Sequence, residues 1–268
     1  MSFWTMTRCA GRRPPATLFS KHSPLSTRPE RHQLRANYTE PVSHYDTILL
    51  DLDGTLVDSA PGITQSIAYT LREIGHPVPP MAELLHWVGP PLPESFRNKL
   101  GLSDAEVDEA IAIYRQRYLN VGAYDSRLFD GVGHLLRDLR ESGRRLAIAT
   151  SKPRTPATLM LEHFTLVPFF EVIAAAADDE TRGEKHLMIE DALSGLGLDA
   201  EQSQRTVMIG DRIHDIHGAD THGLDSVAVQ WGYGTPAEWD AATHQAATPC
   251  QLRSLLGLPA PRAGMPRL

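Results

Sequence analysis

Residues 51–55 read Asp-Leu-Asp-Gly-Thr, directly after the apolar run "TILL". Two carboxylates one residue apart repel each other unless something positive stands beside them. Such a pair is useful only if the rest of the chain supplies that positive charge, so its neighbours in space matter more than its own spacing. Other reactive side chains recur at similar places. Thr150 and Ser151 follow "LAIA", Gly210 and Asp211 follow "TVMI", and Lys185 opens a helical stretch after "FEVIAAA". Asp215 stands four residues past Asp211, one helical turn away.

The surrounding patterns say what must position these groups. "TILLDLD", "RRLAIATS", "FEVIAAA", "TVMIGD" and "DSVAVQ" are short apolar runs of the kind buried in a parallel sheet. Helical patterns over 132–142, 155–164, 185–196 and 214–222 separate them, and "THQAATPCQLRSLLGL" reads as a short strand-like piece and a helix. Strand–helix alternation implies right-handed crossovers and a parallel sheet with helices on both faces. In such sheets ligands bind beyond the carboxyl ends of the strands, which is where the acids, the hydroxyls and Lys185 converge.

The stretch 62–128 breaks the alternation. "GITQSIAYTLREIG" is a helix closed by Gly75, and "MAELLHWV", "LPESFRNKL" and "SDAEVDEAIAIYRQRYLNV" are three more. Ser103 and Glu106 form a capping box for the last. The fold class is thus α/β, a Rossmann-like parallel core over 46–61 and 129–258 with an inserted helical cap at 62–128. Hinges are expected near Ser59–Gly62 and Phe129–Gly133, and the stiff Gly89–Leu92 turn is expected to face whatever binds at the sheet edge. That turn holds no Arg or Lys to grip a substrate carboxylate.

The 268 residues carry a formal charge of −7, but the first 45 are at +5 and the remainder at −12. An acidic body argues against nucleic acid as a partner. Cys9 and Cys250 lie near opposite ends and make neither a metal spacing nor a disulfide framework, so a reducing, cytoplasmic setting is expected. No apolar run is long enough for a membrane span. Residues 1–45 are Pro-, Ser-, Thr- and Arg-rich and are expected to be a disordered extension or to reflect a start codon placed too early. An organelle transit peptide is the alternative, but Pro14, Pro15, Pro24 and Pro29 would break its helix. Residues 259–268 are expected to be a disordered tail.

The motif set resembles the haloacid dehalogenase-like hydrolase superfamily. "DLDGT" is similar to its first motif, "IATSKP" to the second, Lys185 in "RGEKHLMIEDAL" to the third and "MIGDRIHD" to the fourth. The resemblance spans about residues 46–258. "WVGPPLPESF" and "GDRIHDIHGADTHGLDSVAVQWGYG" look similar to the phosphoglycolate phosphatase-like or 5′-nucleotidase-like branch.

The resemblance implies phosphoryl transfer, with Asp51 as nucleophile forming an aspartyl-phosphate and Asp53 as general acid, then base. It implies Mg²⁺ held by Asp51, the Asp53 backbone carbonyl and Asp211, with Asp215 orienting the metal site from behind. Thr150, Ser151, Gly54 and Lys185 would contact the phosphoryl group. An acid at position 53 favours phosphate over halide, because a halide needs no proton.

The expected function is a Mg²⁺-dependent phosphomonoester hydrolase for a small phosphorylated metabolite, phosphoglycolate phosphatase-like, working as a monomer or homodimer. The alternatives are a 5′-nucleotidase, a phosphomutase of the same family and a catalytically silent binding protein. Arg182 rivals Lys185 as the site cation. His214 and His217 are spaced as a metal pair, but beside carboxylates they read as surface or supporting side chains. Trp231, Tyr233 and Trp239 could stack a base, though packing is the commoner use. Arg212 has no role from the sequence.

Overall fold

The computed structural model describes residues 44–89, 91–179 and 182–259. The expectations for most of 1–45 and 259–268, and for Pro90 within the Gly89–Leu92 turn, lie outside these.

Six short strands build the central sheet. They are β1 (Thr47–Leu50), β4 (Arg145–Pro153), β5 (Val172–Ala176), β6 (Thr206–Gly210), β7 (Asp225–Val229) and β8 (His244–Ala246), in the order β5-β4-β1-β6-β7-β8. Every neighbouring pair is parallel. β1 and β6 are buried along their whole length, because helices cover both faces and no solvent face exists for polar residues to alternate onto.

The chain builds β1, β4 and β5 to one side and then returns to β1's other flank with β6. The carboxyl ends of β4, β1 and β6 thus stand together where the winding direction reverses, and Thr150, Asp51 and Asp211 ride on those three ends.

A second element was not expected. β2 (Val57–Asp58) and β3 (Arg127–Leu128) form an antiparallel ribbon across both connections of the helical stretch. Two-residue strands carry no readable periodicity. Arg127 pairs with Asp58 at 3.0 Å and reinforces the ribbon.

Between β2 and β3 run α1 (Ala60–Glu73), α2 (Met81–Leu84), α3 (Leu92–Leu100) and α4 (Asp104–Asn120). α1 begins two residues earlier than its apolar spacing suggested. Its first N–H groups find an unexpected partner, since the Tyr233 hydroxyl accepts from Ser59 and Ala60 at 2.7 and 2.9 Å. At α4 the Ser103 N–H and hydroxyl both donate to Glu106, at 2.8 and 2.6 Å.

The core-flanking helices are α5 (Val132–Glu141), α6 (Arg154–His163), α7 (Lys185–Leu196), α8 (Ala200–Gln204), α9 (Ile213–Thr221), α10 (Pro236–Trp239) and α11 (Pro249–Leu255). One continuous apolar cluster runs from Ile48 and Leu50 through Ile67 and Leu71 of α1 to Trp87 and Phe96. The helical stretch is therefore packed onto the sheet rather than tethered beside it. No helix among the described residues is long and apolar enough to cross a membrane.

Candidate active site

β1 ends at Leu50, and Asp51 is the first residue beyond it. Its N–H donates to the Ile209 carbonyl at 2.9 Å, so β6 fixes the backbone that carries the acid. Strand alternation alone would send Asp51 and Asp53 to the same face. They part because the chain has already left the strand and turns at once. Gly54 has φ +77, its N–H bonds back to Val57, and a Cβ there would overlap the Asp211 carboxylate. Only glycine tolerates both demands.

Asp51 faces into the sheet edge and Asp53 faces the helical insertion. Lys185, the first residue of α7, reaches Asp51 Oδ1 at 2.7 Å and Asp215 Oδ1 at 2.8 Å, and its Nζ donates to the Ala149 carbonyl at 3.0 Å. Its rival Arg182 is exposed and paired with Asp191, away from these acids. Asp53 instead accepts two contacts from Lys152 Nζ, at 3.0 and 3.2 Å. Lys152 lies inside "IATSKP", yet its role could not be read there. Only the turn of the chain beyond Asp51 brings it to Asp53.

Asp211 is completely buried. Its Oδ2 accepts from the Tyr233 N–H at 2.7 Å, the Thr55 hydroxyl donates to Oδ1 at 3.4 Å, and the Trp239 ring N–H donates to its carbonyl at 3.0 Å. Trp231 donates its ring N–H to the Thr55 carbonyl at 3.0 Å. Both tryptophans thus tie down the loops around Asp211, and only Tyr233 of the three aromatics lines the cleft. Asp215 accepts from the Arg212 N–H at 3.0 Å.

Thr150 is buried and its hydroxyl accepts from the Lys152 N–H at 3.2 Å, while Ser151 is exposed beside it. Arg212 acquires partners. Its side chain donates to Glu238 at 3.0 Å and to the Val88 carbonyl of the insertion at 3.2 Å.

Asp51, Asp211 and Asp215 each place a carboxylate oxygen within 4.8 Å of the others. Asp215 therefore stands among the possible ligands, not merely behind them. His214 and His217 are exposed on α9 and outside this group.

Three buried acids with one lysine leave a negative surplus. Burial, then the neighbouring acids, push Asp211 up to about 8. Burial also pushes Asp51 up to about 6, though Lys185 opposes the shift. Lys185 itself is held above its usual range by Asp215 and Asp51, which outweigh burial. A hard dication coordinated by oxygens fits this donor set, since it neutralises the surplus that makes ionisation costly.

The cleft encloses about 1010 Å³ and is lined by Asp51, Asp53, Thr150 and Lys185 on one side and by Trp87, Tyr114 and Tyr118 of the insertion on the other. Arg97 and Arg115 also line it. The Gly89–Leu92 turn does lack a cation, but the insertion as a whole does not, which removes that argument against an anionic leaving group.

A family model described as haloacid dehalogenase-like hydrolase matches residues 48–229. A tyrosine-protein kinase of Mycobacterium tuberculosis is 45% identical over 79% of this chain and 72% of its own length. A 5′-nucleotidase of Pseudomonas aeruginosa is 39% identical over 79% and 96%, and a phosphoglycolate phosphatase of Cupriavidus necator is 30% identical over 70% and 82%. Among solved structures, a haloacid dehalogenase-like family hydrolase of Streptococcus pneumoniae superposes with a TM-score of 0.71 at 33% identity, covering 79% of this chain and 98% of that one.

Proposed function

The chain belongs to the haloacid dehalogenase-like hydrolases, and from that premise we propose that it is a Mg²⁺-dependent phosphomonoesterase working through a phosphorylated Asp51. The observation that carries this is the buried group of Asp51, Asp211 and Asp215 facing Lys185, with a separate carboxylate, Asp53, on the cleft side. A binder has no use for an additional acid at that place, which argues against a silent scaffold.

A bound dication would screen the repulsion between an anionic phosphate and the Asp51 carboxylate. Asp51 attacks phosphorus while the ester oxygen leaves, and Asp53 gives that oxygen its proton. Asp53 then takes a proton from water as the water attacks phosphorus, which frees phosphate and restores Asp51. Lys185 offsets charge on Asp51 throughout, and the Thr150 hydroxyl donates to a phosphoryl oxygen. Gly54 and the chain around Ser151 leave room for further backbone donors. We take residues 62–128 as the cap that excludes water during the first step.

The substrate is proposed to be a small phosphorylated metabolite. The aromatic lining of Trp87, Tyr114 and Tyr118 offers faces for a base to stack on and so favours a nucleoside monophosphate over phosphoglycolate. Transfer to a second substrate hydroxyl, as in a mutase or a kinase, would use the same phosphorylated aspartate with a different acceptor. A cytoplasmic setting remains part of the proposal.

Phosphate release from nucleoside monophosphates, 2-phosphoglycolate and sugar phosphates, with and without Mg²⁺, tests the reading. It expects metal-dependent release, fastest with a nucleotide. Metal-independent release, or none from any ester, would overturn it.

A further inference from the structure

Lys152 is the cation nearest the proposed acid–base group, and the reaction as described gives it no task. Its side chain is 7% exposed, although a lysine charge is costly to bury without partners. All of its Nζ contacts that carry that charge are at the site. Two go to the Asp53 oxygens at 3.0 and 3.2 Å, and the third goes to the Tyr118 hydroxyl at 2.9 Å. The same Nζ lies 4.6 Å from the Tyr118 ring centroid.

Tyr118 belongs to α4, on the insertion, and is itself buried. It stacks on Tyr114 one turn earlier, with ring centroids 5.6 Å apart. Burial holds its phenol protonated well beyond its usual range, with Asp53 adding to the shift. The strand side is equally specific. The register of β4 against β5 shifts between Thr150 and Pro153, and such an irregularity re-aims a side chain. The Lys152 N–H is bonded to Thr150, so the lysine also touches the residue proposed to contact the phosphoryl group.

We propose that Lys152 and Tyr118 are positioning residues for Asp53, with Tyr118 on the insertion holding Lys152 so that the Asp53 carboxylate is aimed at the leaving oxygen only while α4 covers the site. The proposal rests on the reading of Asp53 as the acid. Asp53 can rotate about two side-chain bonds, and among the described residues no other side chain hydrogen-bonds both of its oxygens. A single ammonium that grips both oxygens and is itself gripped from the insertion removes that freedom. Aiming then depends on residues from both sides of the cleft.

The test compares kcat/KM for two esters, because this quantity reports steps only through departure of the leaving group. An alkyl phosphate, such as a nucleoside monophosphate, needs its oxygen protonated as it leaves. p-Nitrophenyl phosphate does not. Lys152→Met is expected to lower kcat/KM for the alkyl ester about tenfold or more beyond any loss on the aryl ester, a part of what a general acid supplies. Tyr118→Phe, which keeps the ring packing, is expected to shift the ratio the same way by a smaller factor, and Lys152→Arg to restore it in part.

Equal losses on both esters for Lys152→Met and Tyr118→Phe would overturn the proposal by reducing the pair to structural support. Asp53→Asn is the reference. If it shifts the ratio and the lysine and tyrosine variants do not, only the positioning role fails. If Asp53→Asn leaves the ratio unchanged, the acid role itself fails. Should Lys152→Met not fold, as judged by its melting transition, Tyr118→Phe and Lys152→Arg carry the same comparison.

Discussion

Lys185 Nζ lies 2.7 Å from Asp51 Oδ1, and both side chains are almost wholly buried. The ammonium is shared with Asp215 at 2.8 Å, so one positive charge serves two carboxylates while Asp211 stands beside them. This shortage of positive charge shapes the behaviour expected of the site.

Asp51→Asn keeps the shape of the side chain and removes its nucleophilic oxygen charge. Turnover is expected to fall by about three orders of magnitude or more, as for loss of a covalent nucleophile. Rapid-quench trapping should show phosphate bound to the wild-type protein and none bound to the variant. Full turnover by the variant would end the covalent mechanism.

Lys185→Met removes the shared cation and leaves buried acids uncompensated. A loss of stability of about 3–5 kcal/mol is expected in metal-free buffer, the range for breaking a buried pair from one side. Urea unfolding in EDTA measures it. Added Mg²⁺ should recover part of the loss, because it supplies charge to the same carboxylates.

The pH dependence of the metal-free protein follows from the raised acids. Asp51 and Asp211 sit near 6 and 8 in the fold, against 3.8 for the unfolded chain. A raised carboxyl favours folding while protonated, so this contribution is complete below about 4 and is lost as pH rises through 6 and then 8. Melting temperature in EDTA should fall across that window. Mg²⁺ competes with the protons, so the melting shift it produces should be larger at pH 8 than at pH 6. A shift independent of pH would separate the metal from these acids.

Gly89 has φ +108, and a Cβ on it would overlap the Arg212 guanidinium that donates to Val88. Gly89→Ala is expected to push the turn off Arg212 and to raise KM by about tenfold, worth about 1.4 kcal/mol, with a smaller change in kcat. Steady-state kinetics on a nucleoside monophosphate would check it. An unchanged KM would remove this contact from substrate binding.

The acids and the lysine were legible because their types are rare at strand ends and their spacing repeats along an alternating pattern. The β2–β3 ribbon, the tie from Tyr233 to Ser59 and Ala60, and the contact of Arg212 with Val88 were not. Each joins segments distant in sequence, and nothing local marks either partner. The aromatic residues 231, 233 and 239 illustrate the point. Their types allowed stacking on a base but favoured packing, and neither reading foretold that their ring N–H groups, backbone and hydroxyl would organise the loops around Asp211.

What the sequence determined by itself was the parallel α/β frame, because buried strands and amphipathic helices impose local periods that no neighbour needs to supply. It also determined which ends of that frame carry reactive groups. The tertiary structure decided how those groups divide. Asp51 turns toward Lys185 and Asp53 toward Lys152 because the chain leaves β1 before the second acid and Gly54 folds it against Asp211. Charge pairing acts through space over a few ångströms, and the lysines chosen lie 134 and 99 residues from their acids along the chain.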